Sequence, residues 1–241
     1  MVLVELGEKD ISYFKNLEAI DPWTHHSVHP DEVSGALTVE ETTPGKHEVK
    51  IAELSTGHRT GADLPPGAVS FHTHNVAPGD VFHPNMSTDV PSWQDFRTIA
   101  IQSLTGGLKD HLVFTPNYSY VISVGPTLME NLREQARLSK NSLTTFATGK
   151  TQGRYTALVN HIGANYGSNF IAHWIEEMRS VGFVIEQRRE GQPLYFDYTG
   201  PLPASQDMSV PLDPDAPDYT VWAIIAAVAL LVLMVLYVIW K

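Results

Sequence analysis

The chain has 241 residues, a formal net charge of −11 and no cysteine. This length is sufficient for a sizeable core in one large domain or two small ones. The absence of cysteine excludes disulfides, thiolate metal sites and cysteine nucleophiles, so any metal ion must be bound by His, Asp or Glu. The acidic charge argues against a nucleic-acid partner, because phosphate binding requires a concentrated basic face.

The first part of the chain predicts strands joined by turns. Residues 30–39 predict a turn or helix end that runs into a strand, and residues 46–54 alternate in polarity as a strand does. Residues 68–74 (AVSFHTH) have the apolar character of a buried strand. Residues 75–91 are polar and contain several prolines, which predicts a loop.

The second part predicts helices between further strands. Ser92 is a favoured N-cap residue, so we predict a helix over residues 93–104. The other predicted elements are two strands in 111–124 separated at Pro116–Asn117, helices over 128–138 and 155–181, and strands over 183–187 and 193–198 that pair across a turn at Glu190–Gly191. This order predicts an α/β or α+β sandwich, with a mixed β-sheet flanked by helices.

The pattern His72-x-His74, followed by Ser92-x-x-Asp95, indicates a metal site. His72 and His74 lie two positions apart on a predicted strand, so their side chains point to the same face. Ser92 and Asp95 lie about one helical turn apart at the start of the predicted helix. Two neutral imidazoles and one carboxylate make a three-ligand zinc site with a fourth position for water, which is typical of catalytic zinc.

Each of these residues also has a structural interpretation. An HxH pair alone is weak evidence, Ser92 could serve only as an N-cap, and Glu32 could be a solvated carboxylate at a helix end. Asp80 and Asp89 are alternative carboxylate ligands if the loop 75–91 adopts another arrangement. The remaining candidate histidines are expected to be structural, surface or groove residues: His25, His26, His29, His58, His83, His111, His161 and His173.

Taken together, these motifs resemble the JAMM motif of the MPN+ zinc metallopeptidases. That motif has a glutamate in an E-x-x-G-x-L segment, then HxH, then SxxD, and residues 32–37 (EVSGAL) match its first part. Pro91 before Ser92 and the apolar approach to His72 are also similar to family members. The chain departs from the family in two places: Asn75 stands where proline is usual, and the 75–91 loop is longer.

The resemblance implies the cytidine-deaminase-like fold of an MPN sandwich, with His72, His74 and Asp95 as ligands of a Zn²⁺ cofactor that activates water. It implies that Glu32 acts as general base and acid, taking a proton from water and passing it to the leaving amine. Ser92 would donate a hydrogen bond to the oxyanion. The implied activity is deubiquitinase-like hydrolysis of isopeptide bonds in ubiquitin or ubiquitin-like conjugates.

Two other functions stay open at this point. Some MPN domains have lost the metal and act as non-catalytic scaffolds, although the complete residue set here argues against that loss. A zinc peptidase that acts on a different amide substrate would require the same residues. The sequence indicates neither the linkage preference nor the role of the long loop 75–91.

Residues 221–240 are apolar or amphipathic throughout, with tryptophan or tyrosine near both ends. Twenty residues at about 1.5 Å each span the roughly 30 Å core of a bilayer, so we predict one transmembrane helix in contact with lipid. Residues 200–220 are rich in proline and aspartate, which predicts a linker after a metallopeptidase domain over 1–199. Because the N-terminus shows no signal-peptide pattern, we expect a C-terminal anchor with the catalytic domain in the cytosol.

Overall fold

The computed structural model describes residues 2–16, 33–43, 46–56, 68–74, 89–162 and 168–198. Within these residues the chain forms an α+β fold of eight strands and five helices. The strands are β1 (Val2–Leu6), β2 (Val33–Thr43), β3 (Lys46–Thr56), β4 (Val69–Thr73), β5 (Asp110–Phe114), β6 (Tyr118–Val124), β7 (Phe183–Arg189) and β8 (Leu194–Tyr198). The helices are α1 (Glu8–Asn16), α2 (Trp93–Thr105), α3 (Pro126–Leu138), α4 (Lys140–Ile162) and α5 (Ser168–Val181).

The described strands form two sheets. Six of them make a mixed sheet in the order β3-β2-β4-β5-β6-β7, in which β4 and β5 are parallel and the other neighbours are antiparallel. β1 and β8 form a separate antiparallel pair. β4 therefore lies inside the larger sheet, between β2 and β5, and all five of its residues are buried.

The larger sheet separates two apolar cores. One core is packed by helices α2 to α5 and includes Val113 of β5. The other is covered by β1, α1 and β8, where Phe14 of α1 stacks on Phe114 of β5 with ring centroids 5.1 Å apart. Successive strand residues point to opposite faces, so β4 directs Phe71 into the second core and His72 toward the helices. A buried strand can thus present polar side chains to one face without interrupting the core on the other.

Close pairing of β2 with β4 requires a glycine at position 35. Gly35 lies opposite Phe71 in the antiparallel register, and Ser34 lies opposite His72. A Cβ atom at position 35 would overlap the Phe71 ring and come within 2.7 Å of the Glu53 carbonyl oxygen. The glycine of the E-x-x-G-x-L segment therefore lets β2 pair with the strand that carries His72.

We expect Gly35→Ala to lower the free energy of unfolding by about 1–3 kcal/mol, because the added methyl group must displace a packed ring or a paired strand. Gly149→Ala in α4 is the control, since a Cβ at position 149 meets no atom within 4 Å. Alanine is favoured over glycine in a helix, so this control should be unchanged or stabilised by up to about 1 kcal/mol. Urea denaturation measures the free energy of unfolding of both variants. A Gly35→Ala variant as stable as the wild type would contradict the close packing at Gly35.

Asp110 connects the two sheets. It is the first residue of β5, and its Oδ2 accepts a hydrogen bond from the backbone N–H of Asp197 in β8 at 3.1 Å. Burial, only partly offset by this hydrogen bond, raises the pKa of Asp110 from 3.8 to about 6. The folded protein therefore holds the Asp110 proton more tightly than the unfolded chain does.

This difference makes the contribution of Asp110 to stability fall as the pH rises from about 4 to about 6. Asp110→Asn keeps a carbonyl oxygen for the Asp197 N–H but carries no charge. The variant is expected to be more stable than the wild type by roughly 1–3 kcal/mol near pH 7, with the difference vanishing below about pH 4. Denaturant titrations over this pH range measure the difference in the free energy of unfolding. A difference independent of pH would refute the raised pKa of Asp110.

The fold class predicted from the sequence is wrong as stated, because it included a transmembrane helix. The structure supports an α+β fold with mixed sheets, and none of the described helices is long and apolar enough to cross a membrane. In α5, for example, buried Trp174 and Met178 alternate with exposed Glu176. Such a helix buries one face only. The predicted linker 200–220 and the segment 221–240 lie outside the described residues.

The predicted pairing of the last two strands is also wrong. A turn does form at Glu190–Gly191, with Gly191 at a φ of +79°. However, β7 pairs with β6, whereas β8 leaves the larger sheet and pairs with β1. β1 and α1 were not predicted from the sequence, and α4 begins at Lys140, well before the predicted helix start at Tyr155. By contrast, the predicted helix 93–104, the strand 68–74 and the strand break at Pro116–Asn117 are confirmed.

Candidate metal centre

Three side chains with metal-binding groups converge at the end of β4 and the start of α2. His72 is in β4, and His74 follows the strand, with its N–H donating to the Phe114 carbonyl at 2.7 Å. His74 thereby continues the alternation of the strand, and the two imidazole rings lie together with centroids 4.8 Å apart. Asp95 projects toward both rings from the first turn of α2.

The spacing of the donor atoms suits a single cation. His72 Nε2 is 3.4 Å from Asp95 Oδ1, His74 Nε2 is 3.2 Å from Asp95 Oδ2, and the two Nε2 atoms are 2.8 Å apart. A tetrahedral ion with bonds of about 2.0–2.2 Å separates its ligand atoms by roughly 3.3–3.6 Å. The imidazole–carboxylate distances are close to this range, and the imidazoles need separate by only about half an ångström. This group, the one such cluster among the described residues, could therefore bind a metal ion.

Hydrogen bonds at the start of α2 fix the position of Asp95. Asp95 Oδ2 accepts from the Ser92 backbone N–H at 2.5 Å, and Ser92 Oγ accepts from the Asp95 backbone N–H at 3.2 Å, which together form a capping box. Trp174 of α5 donates its indole N–H to the Pro91 carbonyl at 2.8 Å, so the start of α2 is also tied to the helical core. Capping uses only a lone pair of Ser92 Oγ, which leaves the hydroxyl hydrogen able to donate.

The site is more exposed at Asp95 than at the histidines. The side chains of His72 and His74 are 4% and 9% exposed, whereas that of Asp95 is 18% exposed. Burial opposes ionisation of Asp95, but the adjacent His72 and His74 outweigh burial and hold the pKa of this carboxyl well below 3.8. The carboxylate is therefore anionic at neutral pH, as a metal ligand must be.

A histidine that we expected to be structural lies directly behind the site. His111 of β5 is fully buried, with its Nε2 2.6 Å from His72 Nδ1 and its Nδ1 2.7 Å from Ser70 Oγ. The His72 and His111 rings meet edge to edge, with centroids 4.9 Å apart and planes 20° from parallel, as a hydrogen bond in the plane of both rings requires. Burial, together with the neighbouring His72, holds the pKa of His111 well below 6.5, so this imidazole is neutral.

The start of β2 lies beside the two histidines. The Val33 N–H donates to Thr73 Oγ1 at 3.1 Å, and Ser34 pairs with His72. Glu32, the predicted general base, precedes Val33 directly in the chain but lies outside the described residues. The structure therefore brings together four of the five predicted site residues: Ser92, His72, His74 and Asp95.

The other predicted candidates do not join this cluster within the described residues. The Asp89 carboxylate accepts hydrogen bonds from the backbone N–H and the side-chain amide of Asn117, at 3.0 and 2.6 Å, and so fixes the β5–β6 turn. His161 and His173 are exposed on α4 and α5. The remaining candidates lie outside the described residues: His25, His26, His29, His58, Asp80 and His83.

Comparison with known proteins identifies no relative of this chain. No protein-family model matches the chain, and no curated protein or solved structure matches it. The resemblance to the JAMM family therefore depends on the motifs alone and stays a prediction.

We expect the full chain to bind one divalent metal ion at this cluster. His72→Ala and Asp95→Asn each remove a ligand, so each should weaken binding by more than the roughly 100-fold typical of losing a hydrogen-bond partner of a ligand. Asp95→Asn retains an oxygen to accept from the Ser92 N–H, so the helix cap persists while the anionic ligand is lost. His173→Ala, on the exposed side of α5, is the control and should bind as the wild type does. Chelator competition measures the affinities; unchanged binding in both site variants would exclude this cluster as the metal centre.

Proposed function

We propose that the protein is a zinc-dependent hydrolase of amide bonds, and more narrowly an isopeptidase of ubiquitin or ubiquitin-like conjugates. The observation that carries the proposal is the convergence of His72, His74 and Asp95 at one partly open position. Two imidazoles and one carboxylate are a frequent ligand set of catalytic zinc, whereas structural zinc sites are usually closed by four protein ligands.

When bound, zinc lowers the pKa of a coordinated water toward 7 and polarises a carbonyl group. The chain's own contribution begins with orientation. The strand alternation of β4 aims both imidazoles at one point, and the capping box holds the carboxylate against them. Such fixed geometry lowers the entropic cost of bringing reacting groups together.

Glu32 is proposed as the group that moves protons during hydrolysis. Consecutive Cα atoms are about 3.8 Å apart, and Val33, the next residue in the chain, hydrogen-bonds to Thr73 between the two histidines. A glutamate carboxylate can take a proton from water and return it to the leaving amine. The proton return matters because an unprotonated amine is a poor leaving group.

Ser92 is proposed as the donor to the developing oxyanion. Its backbone and Oγ lie against Asp95, and its side chain is partly exposed beside the candidate metal ligands. The capping interaction does not use the hydroxyl hydrogen, so the same residue can hold α2 in place and donate to a substrate oxygen.

The isopeptide substrate class comes from the motif resemblance rather than from the cluster. The structure gives a physical role to one further motif residue, because Gly35 is needed for β2 to pair beside His72. The net charge of −11 is compatible with a substrate tail that carries arginine or lysine.

Glu32→Gln tests the proposed mechanism on the zinc-loaded full chain. We expect the variant to keep its zinc but to lose roughly 10²–10⁴-fold in kcat, because the glutamine cannot transfer the proton. Glu130→Gln, on the exposed face of α3, is the matched control and should be fully active. The assay uses a panel of diubiquitins alongside unmodified peptides.

Cleavage of peptides without cleavage of any diubiquitin would reject the isopeptidase assignment and keep the zinc peptidase. If the zinc-loaded wild type cleaves neither diubiquitins nor peptides, the hydrolase activity is rejected and a non-catalytic scaffold is favoured. Full activity of Glu32→Gln would remove Glu32 from the mechanism.

A further inference from the structure

A line of buried polar side chains runs from the candidate metal centre into the sheet. His72 Nε2 faces the site, and His72 Nδ1 is 2.6 Å from His111 Nε2. On the far side of the ring, His111 Nδ1 is 2.7 Å from Ser70 Oγ. Ser70, His72 and His111 are 0%, 3% and 0% exposed, so water does not compete for these hydrogen bonds.

The backbone register holds this line in place. β4 and β5 are parallel, with Ser70 opposite His111 and His72 opposite Val113. Residues paired across a sheet point to the same face, so Ser70, His72 and His111 all project toward the helices. The His72 and His111 planes lie 20° from parallel, so the hydrogen bond between them lies close to both ring planes, and rotation of either ring would break it.

Whether His72 can bind a metal depends on which ring nitrogen carries the proton in His72 and in His111. A neutral imidazole has one N–H and one free lone pair, and a metal ligand must offer the lone pair. If His72 Nε2 is the ligand, its proton must be on Nδ1 and must be donated to His111 Nε2. His111 then carries its own proton on Nδ1 and donates it to Ser70 Oγ. The opposite order places a proton on His72 Nε2, where it would occupy the ligand position.

We propose that His111 is a positioning residue that makes His72 a metal ligand, by accepting the His72 Nδ1 proton while Ser70 accepts from His111. The inference rests on the proposed metal centre and deepens it. Acceptance by His111 fixes both the tautomer of His72 and, because the hydrogen bond lies in the ring plane, the direction of its ring. Partners of this kind raise the basicity of a ligating histidine and typically contribute about 10–100-fold to metal affinity.

The direct test is the protonation pattern of the rings in the zinc-loaded wild-type protein. Nitrogen-15 NMR of histidine-labelled full chain distinguishes a protonated ring nitrogen from an unprotonated one. The expected pattern is a proton on Nδ1 of both His72 and His111, with His111 Nε2 unprotonated. A proton on His111 Nε2 would overturn the proposal, and this result does not depend on any variant folding.

Two substitutions at position 111 separate positioning from simple packing. His111→Gln retains a side-chain oxygen able to reach the site of the His Nε2 acceptor, whereas His111→Leu fills similar volume without an acceptor. The leucine variant is expected to bind zinc about 10–100-fold more weakly, and the glutamine variant to recover a substantial part of this loss. Affinity is measured by chelator competition, and folding by thermal unfolding of each variant.

The outcomes distinguish this inference from the proposed function. If the wild type binds no zinc, the metal centre itself is refuted, and the inference falls with it. If the wild type binds zinc and His111→Leu binds it equally well, the metal centre stands and the role of His111 is refuted. Equal weakening of both variants, in proportion to lost stability, would also refute positioning and leave His111 as a packing residue.

Discussion

The contact between the end of β4 and the start of α2 is the interaction on which the candidate site depends. β4 lies between β2 and β5 and is buried on both faces, so its backbone position is fixed by neighbours on each side. The start of α2 is fixed by its capping box and by the hydrogen bond from Trp174 to the Pro91 carbonyl. Neither element alone holds a complete ligand set. Their junction brings two imidazoles and a carboxylate to one point.

The polar groups at this junction would be costly to bury without hydrogen-bond partners. A polar group removed from water costs free energy unless it is hydrogen-bonded, and the cost is larger for a charge. Ser70, His72 and His111 occupy positions where apolar residues would pack without this penalty. They satisfy one another through short hydrogen bonds, while Asp95 keeps its negative charge against two imidazoles. Local departures from the apolar pattern of a core are expected at functional sites, where stability is given up for chemistry.

The parts of the site that depend on local sequence spacing were predictable. The two-residue period of a strand placed His72 and His74 on one face, and the N-cap preference of serine placed Asp95 in the first turn of α2. The signal for His111 was weaker, because its partnership with His72 arises from the parallel pairing of β4 and β5, 39 residues apart in sequence. A histidine and a serine inside two otherwise apolar strands, DHLVF and VSFHT, were the available indications.

The difference between local patterns and long-range contacts also explains the errors in the predicted fold. β8 was recognised as a strand from its composition, but its partner β1 lies at the other end of the described chain, and no turn motif connects them. The first half of α4 was not predicted because its buried stripe contains few large apolar residues. Leu143, Ala147 and Thr151 recur every four positions, and the Thr151 hydroxyl donates to the Ala147 carbonyl at 2.9 Å. A stripe of alanine and threonine has little hydrophobic contrast with the exposed face, so the helical period is weak in the sequence.

His72, His74 and Asp95 are proposed to hold one zinc ion and to leave one coordination position for water. X-ray absorption spectroscopy at the zinc edge of the loaded full chain tests this claim most directly. The expected spectrum shows two imidazole nitrogens at about 2.0–2.1 Å and oxygen ligands at about 2.0–2.2 Å, in fourfold coordination. A shell made only of oxygen, with no scattering from imidazole rings, would exclude His72 and His74 as ligands.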